Sequence, residues 1–164
     1  DTVFEDAGEA LKVKVLLAAT AGQGTGLGSS FEELAWIINR SKFPDRLGVC
    51  LDTCHIFAAG YDIRNAKSYK KTIQLFDKII GINNLYFIHL NDSKKDLGTR
   101  IDRHEHIGQG FIGLKAFECF MNDKRFKNIP KIIETPKEKA NYDDDKTNLN
   151  KLRAMVVRKN EYKT

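Results

Sequence analysis

Leu47-Gly48-Val49-Cys50-Leu51-Asp52-Thr53-Cys54-His55 passes from an apolar run into polar residues without an intervening turn signal. A short apolar run of this kind reads as a buried strand, Leu47 to Leu51, that delivers Asp52 and His55 at its carboxyl end. The same unit recurs along the chain. Upstream, the apolar run Val13 to Ala19 leads into the glycine-rich turn Gly22 to Gly28. A helix follows, with Phe31, Leu34, Ala35 and Ile38 at helical spacing. Ser29 or Ser30 with Glu32 or Glu33 forms its capping box, and Pro44 suits its exit. Downstream, a loop to about Arg64 leads to a helix carrying Ile73, Phe76 and Ile80, closed by Gly81.

A third strand is expected at Leu85 to Leu90, with a long polar exit from Asn91 to Gly113 and then a helix using Ala116, Phe117, Phe120 and Met121. Pro130 introduces a fourth strand, Lys131 to Ile133, which ends at Glu134. The last helix is expected to start near Asp143 to Asp145, where acids suit a helix N-terminus, and to pack through Leu149, Leu152 and Val156. Strands joined through helices imply parallel pairing with right-handed crossovers. Four such units make half of an eight-stranded barrel or one small open sheet. The polar exits differ too much in length and composition for a solenoid.

The 164 residues suit a single domain, 1–164. Lys and Arg total 27 against 22 Asp and Glu, so the net charge of +5 favours a polyanion without identifying one. Three cysteines without CxxC spacing describe neither a disulfide framework nor a zinc knuckle and point to a reducing, intracellular compartment. No apolar run is long enough to span a bilayer, and the acidic start lacks the basic region of a secretory signal. The first residue is aspartate rather than methionine, as in a processed product or an internal fragment.

Chemistry concentrates at the strand exits. Asp52 and His55 follow the second strand, His89 ends the third, Asp102 and His104 lie in its exit, and Glu134 ends the fourth. Parallel α/β folds gather such positions on one face. Nitrogen and carboxylate oxygen without thiolate suit a catalytic metal such as zinc, manganese or iron. Asp102 and His104, alternate residues of an extended segment, share a face and can serve one ion. Each has an ordinary structural role as well: Asp52 as a cap, Glu134 as a partner of Lys131 or Lys137, the histidines as hydrogen-bonded core groups. His106 is open between phosphate contact, support of a ligand and solvation. The Gly22 to Gly28 loop fails as a nucleotide loop, because Leu27 takes the third glycine position and no Lys-Ser/Thr pair follows. Cys50 reads as core, and Cys54 as buried behind the site.

The segments Gly48 to Asp62, His89 to Lys95 and Asp102 to Gly113, with Thr20 to Gly24 and Glu134-Thr135-Pro136, together resemble the endonuclease IV family in their expected order. The resemblance covers nearly the whole chain. It implies an α/β partial TIM barrel, four parallel βα units forming the second half of a (β/α)8 barrel. It also implies zinc-dependent hydrolysis of the DNA phosphodiester 5′ to an abasic site, as in base excision repair, with no covalent nucleophile. One zinc would be held by Asp52, His89 and Glu134, and another by His55, Asp102 and His104. Arg103, between two of these ligands, is the first candidate for phosphate contact, with Lys94, Lys95 and Arg100 next and an ordinary solvated loop as their alternative role, and the implied partner is abasic double-stranded DNA. Gln23 and Tyr61 shape the groove or serve the fold.

Two departures qualify that implication. The family's barrel is nearly twice as long and carries three zincs, and its first four strands have no counterpart here. Ala18 stands where the family has a glutamate that bridges two zincs, and Glu9 is too far upstream to replace it. One or two zincs at most are therefore expected. The alternatives are a non-catalytic half-barrel that binds metal or DNA and, remotely, a divalent-metal sugar isomerase. A cut barrel exposes two sheet edges, so either a complementing N-terminal half or a second copy in a homodimer is the expected cover.

Overall fold

The computed structural model describes residues 1–7, 13–137 and 143–157. Four parallel strands form one sheet in chain order: β1 (Val15–Ala18), β2 (Leu47–Asp52), β3 (Leu85–His89) and β6 (Lys131–Ile132). A second, antiparallel ribbon pairs β4 (Asp92–Ser93) with β5 (His104–Glu105) inside the exit of β3. The helices are α1 (Thr2–Ala7), α2 (Phe31–Arg40), α3 (Thr53–Ala58), α4 (Ala66–Ile79), α5 (Leu114–Asn122) and α6 (Asp143–Ala154). Sequential parallel order with helical crossovers is what the strand–helix grammar predicts, and it is the arrangement of a partial TIM barrel, as the resemblance implies.

Helices pack against one face of the sheet. Val49, Leu51 and Ile88 from the strands are fully buried among Phe31, Leu34, Ile73, Phe76, Phe117 and Phe120 from α2, α4 and α5. On β2 the residue before Val49 is Gly48, where a Cβ would come within 2.5 Å of the Tyr86 ring and 2.9 Å of Leu16. Tyr86 and Ile132 on the strands are 37% and 39% exposed.

Several local signals hold. Ser30 caps α2, and the Glu33 carboxylate reaches back to the backbone N–H groups of Gly28, Ser29 and Ser30. That carboxylate occupies the anion slot at the helix start and ties down the glycine-rich loop, so this loop is a tight turn rather than a phosphate cradle. Gly81, with φ of +87°, ends the α4 segment as a C-terminal glycine should.

Four expectations need correction. The segment between β2 and Arg64 was expected to be a loop but contains α3, because the Asp52 side chain caps a short helix whose apolar positions lie at adjacent rather than periodic sites. β1 begins at Val15 instead of Val13, and Val13 is exposed. Helix α6 buries Asn148 and Leu152, leaving Leu149 half-buried and Val156 exposed. Asn148 turns inward because it accepts from the Ile107 N–H and donates to Thr135 Oγ1, which fixes the helix rotation. Glu134 pairs with neither lysine. Lys131 donates to the carbonyls of Phe126 and Ile129, and Lys137 pairs with Asp145 at 3.3 Å.

Lys151 donates to the Ile107 carbonyl at 3.1 Å, and residues 158–164 lie outside the described residues, as does Glu9.

Candidate metal centre

Asp52 ends β2 almost completely buried. Its Oδ1 accepts from the N–H groups of Cys54 at 2.8 Å and His55 at 3.2 Å, an N-cap that starts α3. The capping and ligand roles weighed for this residue are therefore compatible, since one oxygen caps and the other, Oδ2, faces the histidines. Burial works to raise the Asp52 carboxyl. The hydrogen bond from His89, the charges of His55 and His104 and the His55 N–H outweigh it and hold the group below the ordinary carboxylate range.

Capping by Asp52 places His55 in the first turn of α3, where its Nδ1 lies 2.8 Å from the Ala19 carbonyl at the exit of β1. His104 makes the equivalent contact from β5, with Nδ1 2.8 Å from the Glu134 carbonyl. A carbonyl oxygen can only accept, so both rings carry a proton on Nδ1 and, when neutral, present a bare lone pair on Nε2. Both Nε2 atoms are buried without a hydrogen-bond partner. They converge on Asp102, His55 Nε2 at 3.0 Å from Oδ2 and His104 Nε2 at 3.2 Å from Oδ1, without the alignment of hydrogen bonds. Two neutral rings would aim lone pairs at a carboxylate, a repulsion that a proton on Nε2 or a cation among the three groups relieves. The donor set therefore fits a divalent metal.

A second triad adjoins the first. His89 Nδ1 lies 2.9 Å from Glu134 Oε2 and 3.5 Å from Asp52 Oδ2. Hydrogen bonding to Asp52, opposed by burial and aided by the charges of Glu134 and Asp52, raises the His89 imidazole above its usual value. The donor atoms of Asp52, His89 and Glu134 all lie within 4.8 Å of one another, as do those of Asp52, His55 and His104. All six residues expected from the strand exits are thus brought together.

Cys54, read from the sequence as buried behind the site, is buried with its sulfur within 4.8 Å of the donor atoms of Asp102 and His104. Burial pushes its thiol up to about 12, and the sulfur stands 3.7 Å from the Arg103 carbonyl as a neutral donor. Burial likewise pushes Cys50 to about 11, with the charges of Asp52 and Glu134 adding to the effect. Burial and raised thiols disfavour a nucleophilic role for either.

The four candidate phosphate contacts, Arg103, Lys94, Lys95 and Arg100, are all exposed. Arg103 sits between Asp102 and His104, and its guanidinium donates to the Asp102 carbonyl at 2.8 Å. Lys94 approaches Glu105 at 3.9 Å, and Lys95 is exposed. Arg100 has a left-handed backbone, φ +56°, and its side chain lies against Gly22 at the exit of β1. His106 faces α6, with Nδ1 3.0 Å from Asn148 Nδ2, away from the triads' donor atoms. The Tyr61 hydroxyl accepts from the Phe31 N–H and its ring stacks on Phe31 at 4.0 Å, so it supports the start of α2; Gln23 is exposed. Ala18 ends β1 opposite Cys50 and presents only a methyl group.

Two adjacent buried residues escaped sequence reasoning. Asp92 accepts four backbone N–H groups, from Ser93 and Ile112 on Oδ1 and from Gly108 and Gly110 on Oδ2. Asn91 donates to Asp52 and accepts from the Glu134 N–H. The only available signal was their place inside the polar exit of β3, which does not distinguish an organiser from a solvated residue.

The profile of the xylose isomerase-like TIM barrel family matches residues 3–155. A "Probable endonuclease 4" of Geotalea daltonii is 59% identical over 143 residues, which are 87% of this chain and 50% of that protein. One of Geobacter sulfurreducens is 53% identical over 148 residues, 88% of this chain and 49% of that protein. The crystal structure of endonuclease IV from Thermus thermophilus aligns with a TM-score of 0.74 and 39% identity, over 85% of this chain and 48% of that one. The chain spans about half the length of the curated relatives it matches. It therefore belongs to the xylose isomerase-like TIM barrel family, within its endonuclease IV members, and corresponds to their C-terminal half.

Proposed function

We propose that this chain is the metal-holding half of a zinc-dependent endonuclease that hydrolyses DNA on the 5′ side of an abasic site. The observation that carries the proposal is the convergence of two orphaned histidine lone pairs on Asp102, beside a second His–carboxylate triad at the same sheet end. Relatives named endonuclease 4 support DNA as the substrate.

Asp52, His89 and Glu134 would hold one ion, and His55, Asp102 and His104 another. Bound zinc would supply Lewis acidity to a phosphodiester and to an attacking water. Ala18 contributes no oxygen, so the chain would retain one or two ions, with the His55–Asp102–His104 triad the less affected. Arg103 would contact phosphate, with Lys94, Lys95 and Arg100 around it, and binding would weaken with salt as each neutralised phosphate releases counterions. An abasic nucleotide has little stacking to lose, so its extrusion toward this face would cost least at the lesion.

Completion of the barrel is part of the proposal. Val15 on β1 is 43% exposed and Trp36 on α2 is 56% exposed, and among the described residues no strand pairs with the outer side of β1 or β6. A complementing N-terminal half is the favoured cover, since the relatives carry twice the chain. A homodimer is the competing one.

The test is native mass spectrometry with zinc, followed by nicking of an abasic duplex by this chain with and without the N-terminal half of the Geotalea relative. One or two zincs, and nicking that appears on complementation, are expected. Zinc binding with no nicking in either case would leave a non-catalytic half-barrel, a reading that Ala18 favours. No bound zinc would end the enzyme assignment for this chain.

A further inference from the structure

Asn91 lies in the short connection between β3 and β4, fully buried, and every polar atom it has is committed. Its main-chain N–H donates to Thr53 Oγ1 at 2.8 Å, and the Thr53 hydroxyl donates to its carbonyl at 2.6 Å. That exchange fixes the backbone of Asn91 against the start of α3. The side-chain amide then spans two strands' ends: Nδ2 donates to Asp52 Oδ2 at 2.8 Å, and Oδ1 accepts from the Glu134 N–H at 2.7 Å. Donor and acceptor cannot be exchanged, because a carboxylate can only accept and an N–H can only donate.

Two consequences follow for the triads. An ionised carboxylate offers about four acceptor positions. Asp52 commits two on Oδ1 to the α3 cap and one on Oδ2 to Asn91, which leaves a single position facing the histidines. Asp52 is thereby limited to one bond to one ion. The second consequence passes through Glu134. Asn91 holds its N–H while its carbonyl accepts from His104 Nδ1, so the same amide supports the orientation of His104 in the other triad.

We propose that Asn91 is the positioning residue that couples the two triads, its side-chain Nδ2 donating to Asp52 and its side-chain Oδ1 accepting from the Glu134 N–H. This rests on the metal-binding reading above. The two arms separate by substitution: Asn91→Asp keeps the acceptor for Glu134 and loses the donor to Asp52, whereas Asn91→Ser is too short to serve either.

The experiment measures zinc affinity by chelator competition, cobalt(II) absorption as a report of ligand geometry, and the melting temperature of the metal-free chains. Groups that orient metal ligands typically change affinity by about 10- to 100-fold. In a His104→Ala background, where the Asp52–His89–Glu134 ion is read alone, Asn91→Asp is expected to weaken zinc by that amount, although added negative charge alone would tighten it. Asn91→Ser in the otherwise unaltered chain is expected to weaken both ions and shift the cobalt spectrum. Tighter or unchanged binding in Asn91→Asp would overturn the proposal, as would losses in both variants that merely track a fall in metal-free melting temperature. If the unaltered chain binds no zinc, the metal-binding reading itself fails, and this inference falls with it.

Discussion

His55 and His104 show how much a single hydrogen bond decides. Each Nδ1 faces a main-chain carbonyl, so each Nε2 is free to bind a cation. Replacing either by alanine removes a ligand from the Asp102 triad and is expected to lower the zinc count by one per chain in native mass spectra, with little change at the His89–Glu134 pair. The thiols next to them are the opposite case. With Cys50 at about 11 and Cys54 at about 12, both stay protonated from neutral pH to about pH 9, and burial blocks reagents as well. Alkylation at pH 8 is expected to label Cys119, which is only partly buried, well before either of them. Rapid labelling of Cys54 in the native chain would contradict its placement. Ala18 is the residue whose replacement adds rather than removes. Ala18→Glu would supply a carboxylate at the end of β1 and is expected to slow zinc loss to a chelator, whereas an unchanged rate would place that position out of reach of the triads.

The β4–β5 ribbon and the turn from Gly108 to Ile112 exist because Asp92 gathers four N–H groups in a buried place. Gly110 allows that approach. A Cβ there would stand 2.3 Å from the Ser93 carbonyl oxygen and 2.6 Å from Asp92 Oδ1, neither of which can yield. Gly110→Ala is therefore expected to destabilise by about 1–3 kcal/mol, the usual range for overpacking, measurable in a thermal melt. Helices α4 and α5 are joined in part by the Tyr69 hydroxyl, which donates to Asp123 at 2.8 Å. Burial tends to raise the Asp123 carboxyl, but hydrogen bonds from Arg125 and Tyr69 overcome it and leave it below its usual value. A depressed carboxylate contributes stability that is present above its unfolded pKa and lost as pH falls through the folded one. Tyr69→Phe should accordingly flatten the acid side of the stability profile, below about pH 4. An identical acid limb in the variant would remove this contact from the account.

At the scale of the molecule, four βα units provide one sheet with both outer strands unpaired among the described residues, and apolar Val13, Val15, Leu27 and Trp36 exposed along the β1 side. Exposed strand edges and contiguous apolar surface favour association. Trp36 is the single tryptophan of the chain, so its fluorescence reports on cover directly. A blue shift is expected when the N-terminal half of a relative is added, and no shift would mean that this face is not where the complement sits. Trp36→Glu is expected to weaken that association, and to increase the solubility of the isolated chain if the same face drives self-association.

The sequence by itself determined the strand–helix order, the capping of α2 and the six metal-ligand candidates, because periodicity, caps and strand exits are local patterns written in adjacent residues. Its resemblance also placed the chain at the C-terminal half of the family and singled out Ala18. It did not determine α3, whose start depends on an Asp52 side chain that reads equally well as a ligand. Nor did it determine the rotation of α6, because Asn148 is buried by partners 13 and 41 residues away. The tautomers of His55 and His104, the one acceptor position left on Asp52 and the bridging place of Asn91 were decided by tertiary structure alone. Each depends on a hydrogen bond between residues far apart in the chain, and no local pattern encodes which carbonyl or carboxylate the folded sheet will set opposite a given side chain.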